Sequence, residues 1–232
     1  PPFYEYLNFI TQMQKQVTPI RQQLETAEGD AKKVLQEKAN AIDVKVKKFR
    51  EDFMINNKDK FFSKIVTATT EIEIPQSPLD STGNPDKTFP YRFYKKHFWD
   101  NIDFSDSRML RTPIFFNKMD QYLDKLTAKH PDSINVSADI LIELSKANGD
   151  IFQYVVSYIT STYERSKIMG MDAVFVHMVE EYYITNQCDW VDSTQLVKIA
   201  DRAQKIAPNL IGREASEFLD FYGRPFMKDT LG

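Results

Sequence analysis

A single cysteine, Cys188, is all the thiol this sequence holds, which excludes an internal disulfide and any metal site built on several thiolates. Glycine is scarce too, with 7 in 232 residues. None is arranged as a phosphate-binding loop, a dinucleotide fingerprint or a G-x-S-x-G elbow, so nucleotide and serine-nucleophile chemistry have no foothold. Neither sign of charge dominates: 30 Lys and Arg stand against 33 Asp and Glu, a net charge of −3. Such a balance creates no field that would gather nucleic acid or acidic lipid, and neither partner is expected. Long apolar runs are missing as well. Stretches such as VFV at 174–176 fall far below the roughly 18 residues of a membrane helix, so no membrane span is expected. The opening PPFYEYLNF has neither the basic flank nor the apolar core of a secretory signal. A cytosolic protein, or a chain whose address has been removed, is expected to open this way.

What the chain does have is apolar and aromatic residues, 42% and 13% of the total, at helical spacing. Phe3, Leu7, Ile10, Met13, Val17, Ile20 and Leu24 recur at steps of three or four and predict a first helix. Pro19 lies inside it and predicts a kink, or a restart with Thr18 as N-cap. Gly29 and Asp30 read as a stop and a start, the aspartate capping a second helix whose stripe is Leu35, Ala39, Ile42, Val46, Phe49 and Phe53. The two form a long helical hairpin over 3–57, each arm approaching roughly 40 Å. Lys45, Lys47 and Lys48 read as its solvated face rather than as a basic patch. Residues 75–90, PQSPLDSTGNPDKTFP, are too rich in proline for regular structure and predict a long loop: a strap, a lid or a docking arm.

A helical array is predicted over 91–207. Thr112 and Pro113 open one helix, His130 and Pro131 end it, and SADILIELSKANGD carries the next. Asp150 starts another at Ile151, whose β-branched run keeps the helical step through Phe152, Val155, Ile159 and Tyr163. Gly170 and Asp172 mark a further start, and Pro208 terminates the run Leu196, Ile199, Ala200, Ala203 and Ile206. The fold class is therefore all-α, an irregular array of antiparallel helical hairpins without a sustained repeat.

Reaction chemistry is hard to find. His97, His130 and His177 are not spaced as metal ligands, so structural roles are expected and neither metal nor cofactor is implied. Asp100, Asp103 and Asp106 lack the alternate spacing and turn glycine of a calcium loop and read as caps of a short helix. Cys188 sits beside Asp189, which disfavours thiolate, so an inert thiol is expected. The aromatic cluster Tyr91, Tyr94, Phe98, Trp99 and Phe104, with Phe93 among it, reads first as core; where exposed, it becomes an interaction surface.

The last stretch, IGREASEFLDFYGRPFMKDTLG at 211–232, differs from the rest in its glycines and short alternation. Gly212, Ala215, Glu217, Phe218, Gly223 and Pro225 resemble the first strand and turn of thioredoxin-like, peroxiredoxin-related domains. Ser216, Glu217 and Tyr222 depart from that pattern, standing where the family has proline, aspartate and aspartate. Over most of 3–212, segments such as FPYRFYKKHFWDNIDFSDSRMLRTP, KIMGMDAVFVHMVEEYY and PNLIG are similar to a domain of unknown function that precedes a thioredoxin-like domain in Bacteroidetes envelope proteins.

The resemblance implies a helical domain over 1–210 followed by the incomplete start of a thioredoxin-like domain over 211–232. It also implies a periplasmic or cell-envelope setting and a thiol-disulfide oxidoreductase parent. No C-x-x-C pair is present, so no catalytic residue carries over. The expected role is a noncatalytic module that positions the downstream thioredoxin-like domain or holds its protein or peptide client. The alternative is a free-standing protein whose helical groove captures a peptide or glycan, with the aromatic cluster and the proline-rich loop as its mouth.

Overall fold

The computed structural model describes residues 1–79 and 81–213, and the chain it describes is all-α. Nine α-helices and no strand occur among the described residues, apart from an isolated antiparallel bridge between Leu79 and Pro85. The region expected as one helical domain divides into two compact units, Pro1–Asp103 and Phe104–Gly232. The strand and turn expected within 214–232 lie outside the described residues.

The first unit is built on a helical hairpin, α1 (Pro2–Thr26) and α2 (Gly29–Asn56). Its seam is narrow, burying Met13 from one arm and Ala39, Ile42 and Phe53 from the other. Rings close the open end: Phe9 stacks on Phe49 with centroids 3.8 Å apart, and Tyr6 lies 5.1 Å from Phe53. Phe62 of α3 (Phe61–Ala68) meets Tyr6 edge-on at 5.3 Å, which ties the third helix to the hairpin.

Pro19 does not break α1, which runs through it, and Thr18 is not a cap: its hydroxyl donates to the Gln14 carbonyl at 2.8 Å. Proline removes one backbone donor, a loss that a helix packed along its length on a partner tolerates. Gly29 takes φ +59° at the first position of α2, so the turn uses Glu28 as N-cap and Asp30 falls in the first helical turn rather than capping it. There its carboxylate still faces the positive end of the helix dipole. After α3 the chain is irregular until α4 (Phe89–His97), which starts inside the expected loop because Pro90 sits in its first turn, where a missing amide costs nothing.

The second unit holds a larger interior. A 3-10 turn (Ser107–Arg111) leads into α5 (Pro113–Asp120), which widens into a π-turn at Gln121–Lys125. Then follow α6 (Pro131–Ser145), α7 (Gly149–Glu164), α8 (Asp172–Met178) with a π-turn at Val179–Tyr183, and α9 (Ser193–Ile206). His130 and Pro131 open α6, as N-cap and first residue, in addition to closing what precedes. The β-branched run is helical as expected, with Ile151, Val155, Val156 and Ile159 all fully buried. Asn148, not Asp150, caps it, accepting from the Asp150 and Ile151 amides at 3.0 and 3.3 Å.

Candidate functional site

An open groove of about 1030 Å³ lies within the first unit. One wall is a face of α2, where Asp43, Lys47, Arg50 and Met54 repeat at helical spacing. The opposite wall is the run 70–73 that leaves α3, and α4 with its following turn closes the end through Phe93, His97, Asp100 and Asn101.

The sequence explains why α3 stops where it does. At its last turn the hydroxyls of Thr69 and Thr70 donate to the Val66 carbonyl at 2.8 and 3.1 Å, and the Thr69 amide closes on the same oxygen at 3.2 Å. Pro75 and Pro78 then disfavour helix at Ile74 and Ser77 and bias both toward extended backbone.

Side chains hold the resulting run at each end. Asn101 donates to the Thr70 carbonyl at 3.0 Å, and Lys47 of α2 pairs with Glu73. Between and beyond those clamps, no main-chain amide or carbonyl of residues 71–77 has a hydrogen bond to the described residues. A strip of unpaired backbone therefore borders the groove. It carries alternating polar and apolar side chains, Glu71, Ile72, Glu73 and Ile74, of which the first three line the groove and Ile74 is exposed.

Polar groups along the groove are partly spoken for. Arg21 lies 3.6 Å from Asp43, and the His97 Nδ1 lies 2.6 Å from Asp100. That bond fixes the imidazole, whose face also meets the Phe93 ring at 4.2 Å, and leaves Nε2 as the nitrogen available to a ligand. Arg50 differs from the rest: its Nε is buried and has no acceptor.

Most of the aromatic residues singled out in the sequence do not line the groove. Phe98, Trp99 and Phe104 are buried, and Phe104 belongs to the second unit. Tyr94 is half-buried, and Tyr91 is 50% exposed. Packing of the large rings inward accounts for this, and it withdraws Phe98, Trp99 and Phe104 from any surface. Of the cluster only Phe93 lines the groove, together with charged residues of α2, among them Lys47, which had read as a solvated helix face.

The aspartates expected as caps divide into separate tasks. Asp106 does cap a short helix, accepting from the Arg108 amide at 3.2 Å, whereas Asp100 holds His97 and Asp103 pairs with Lys64 at 2.7 Å. Among the described residues no group of His, Cys, Asp or Glu is placed to hold a metal ion.

In the second unit, His177 is not alone. Its Nε2 lies 2.8 Å from Asp139, whose same oxygen accepts from the Tyr182 hydroxyl at 2.7 Å, so α6 and α8 are stapled by a half-buried polar knot. Burial pushes the Asp139 carboxyl up, but the bonds from His177 and Tyr182 outweigh it and hold the group below the usual carboxylate range. The same bond from Asp139 raises His177 above the ordinary imidazole value against an opposing burial effect. Cys188 is buried, and burial first, then the Asp189 charge, pushes its thiol up to about 12.

The sequence profile of a domain of unknown function, DUF5106, matches residues 51–209. The chain belongs to the DUF5106 family. The matched region starts within α2 and ends just beyond α9, so it includes every groove residue except Arg21, Asp43, Val46, Lys47 and Arg50. No curated protein and no solved structure matches the chain. No helix among the described residues is long and apolar enough to cross a membrane.

Proposed function

We propose that this DUF5106 chain is a noncatalytic module that holds an extended peptide client in the groove of its first unit. The observation that carries the reading is the strip at 71–77, whose main-chain donors and acceptors are unpaired among the described residues and whose residues 71–73 line a groove large enough for several side chains. Exposed backbone of this kind takes up another strand by β-augmentation, with main-chain hydrogen bonds giving affinity and pockets for alternate side chains giving selectivity. On this reading Ile72 marks such a pocket.

The wider setting rests on the resemblance at 211–232. The parent protein carries a thioredoxin-like thiol-disulfide oxidoreductase domain beyond Gly232, works in the periplasm or cell envelope of a Bacteroidetes bacterium, and receives clients held by the helical module. A C-x-x-C or other redox cysteine within about a hundred further residues of the parent gene, one domain length, is the expected finding. Its absence removes the redox context and leaves peptide capture standing.

Retention on an immobilised library of acetylated, amidated hexapeptides tests the capture itself. Members with unmodified backbones are expected to be retained, while matched members N-methylated at alternate amides are not. Equal retention of both sets, or of neither, contradicts strand addition.

A second reading, glycan capture, is favoured by a separate observation. On α7 the rings of Tyr154 and Tyr158 stand parallel, 15° between planes, beside the hydroxyls of Ser157, Ser161 and Thr162 in a shallow cavity of about 430 Å³. Aromatic faces edged by hydroxyls suit a sugar ring. Loss of oligosaccharide binding on Tyr158→Ala, with peptide retention intact, would select it.

A further inference from the structure

From the charges around the groove we infer that its peptide must present a carboxylate to Arg50, with a basic residue beside it. This rests on the peptide reading above and names the kind of peptide. Arg50 projects from α2 into the groove, and its Nε is buried with no acceptor among the described residues. An Nε–H closed off with nothing to donate to is costly, and a turn of the half-buried side chain that brings Nε and a terminal nitrogen onto a bidentate carboxylate in the groove satisfies both. The neighbouring cations do not fill that need for a ligand, because Arg21 and Lys47 already face Asp43 and Glu73.

The carboxylates left over lie elsewhere. Asp43, Glu73 and Asp100 are engaged by Arg21, Lys47 and His97. Glu51 and Glu71 have no ion pair among the described residues, and both are exposed. A ligand that is only an anion would meet those two carboxylates on its way to Arg50. A peptide in which an acidic group is followed or preceded by lysine or arginine satisfies all three, the acid inside on Arg50 and the base outside on Glu51 or Glu71. With the Nδ1–H of His97 donating to Asp100, its Nε2 adds an acceptor at the closed end of the same groove, suited to a peptide amide or a lysine head.

Three matched hexapeptide sets on the full chain test this, all acetylated and all containing one lysine. One set carries Glu beside the lysine with an amidated end, the second replaces that Glu by Gln, and the third has Gln with a free C-terminal carboxylate. The Glu set is expected to bind about tenfold or more tightly than the Gln set, the size of a charge-assisted pair of hydrogen bonds. With the Glu set ahead of the Gln set, binding of the third set at the level of the Glu set shows that a chain terminus can also supply the acid, and binding of the third set no better than the Gln set shows that only a side chain does; either supports the inference. Arg50→Gln and Arg50→Met, the latter keeping the apolar stem and so guarding against misfolding, are expected to level the Glu and Gln sets while circular dichroism stays helical. Equal binding of the Glu and Gln sets to the unaltered chain overturns the carboxylate inference but leaves strand addition intact. No binding by any set overturns the peptide reading as well.

Discussion

The two units solve the same problem with unequal resources. Across the long arms of α1 and α2 the first unit buries Met13, Ala39, Ile42 and Phe53, while α6 to α8 in the second enclose Leu141, Ile142, Ile151, Val155, Ile159, Val174 and Phe175. A seam stabilised mainly by rings at one end leaves polar helix faces and an unpaired strip open to a ligand. A dense interior does not. The contrast places stability in one unit and the candidate binding surface in the other, as expected when function draws on the regions with fewest buried contacts.

Core truncation should separate the units most sharply. Phe115 is fully buried in the second unit, and Phe115→Ala should cost about 3–5 kcal/mol in urea unfolding, whereas Met13→Ala in the hairpin seam should cost about 2 kcal/mol. Equal losses would break the contrast. The thiol provides a kinetic version of the same test. With its thiol held near 12, Cys188 in the native chain at about pH 8 should react with iodoacetamide on the order of a thousandfold more slowly than in urea. Comparable rates would mean that the second unit opens far more readily than its packing implies.

The smallest effect is a pH dependence confined to the second unit. Because Asp139 raises His177 in the folded state, this pair stabilises fully below the ordinary imidazole value of about 6.5 and loses that contribution as pH rises through the folded value. Asp139 itself is held low, so its contribution is present above about 3.8 and is lost as pH falls. Tm should therefore decline as pH rises above about 6.5, and His177→Gln should remove that decline. An unchanged decline in the variant would assign it to other groups.

Helical periodicity made most of this fold legible, because 3.6-residue spacing records which face is buried; even the β-branched α7 was readable from Val155 and Ile159. Boundaries were less so. Asp30 and Asp150 looked like caps, but Glu28 and Asn148 hold those positions, since a cap depends on where the chain reverses and several polar residues stand at each reversal. The division at Asp103 was not visible at all: it is a property of contacts distant in sequence.

The candidate site was only partly legible. Phe98, Trp99 and Phe104 read first as core and are interior, while Lys47 read as a solvated helix face and Arg50 carried no reading, yet both line the groove. Their significance arises from residues 70–73 crossing in front of α2, which no local pattern announces. The threonines at 69 and 70 and the prolines at 75 and 78 were the available signal, since together they end a helix and forbid another.

Hydrogen exchange on the full chain, with and without the pooled hexapeptides, addresses the main claim most directly. The amides of Glu71, Ile72, Glu73 and Ile74 should exchange fast in the free protein and slow markedly when the pool is added, with the interior of α7 unchanged. Amides already protected in the free protein, or no slowing with peptide, would contradict it.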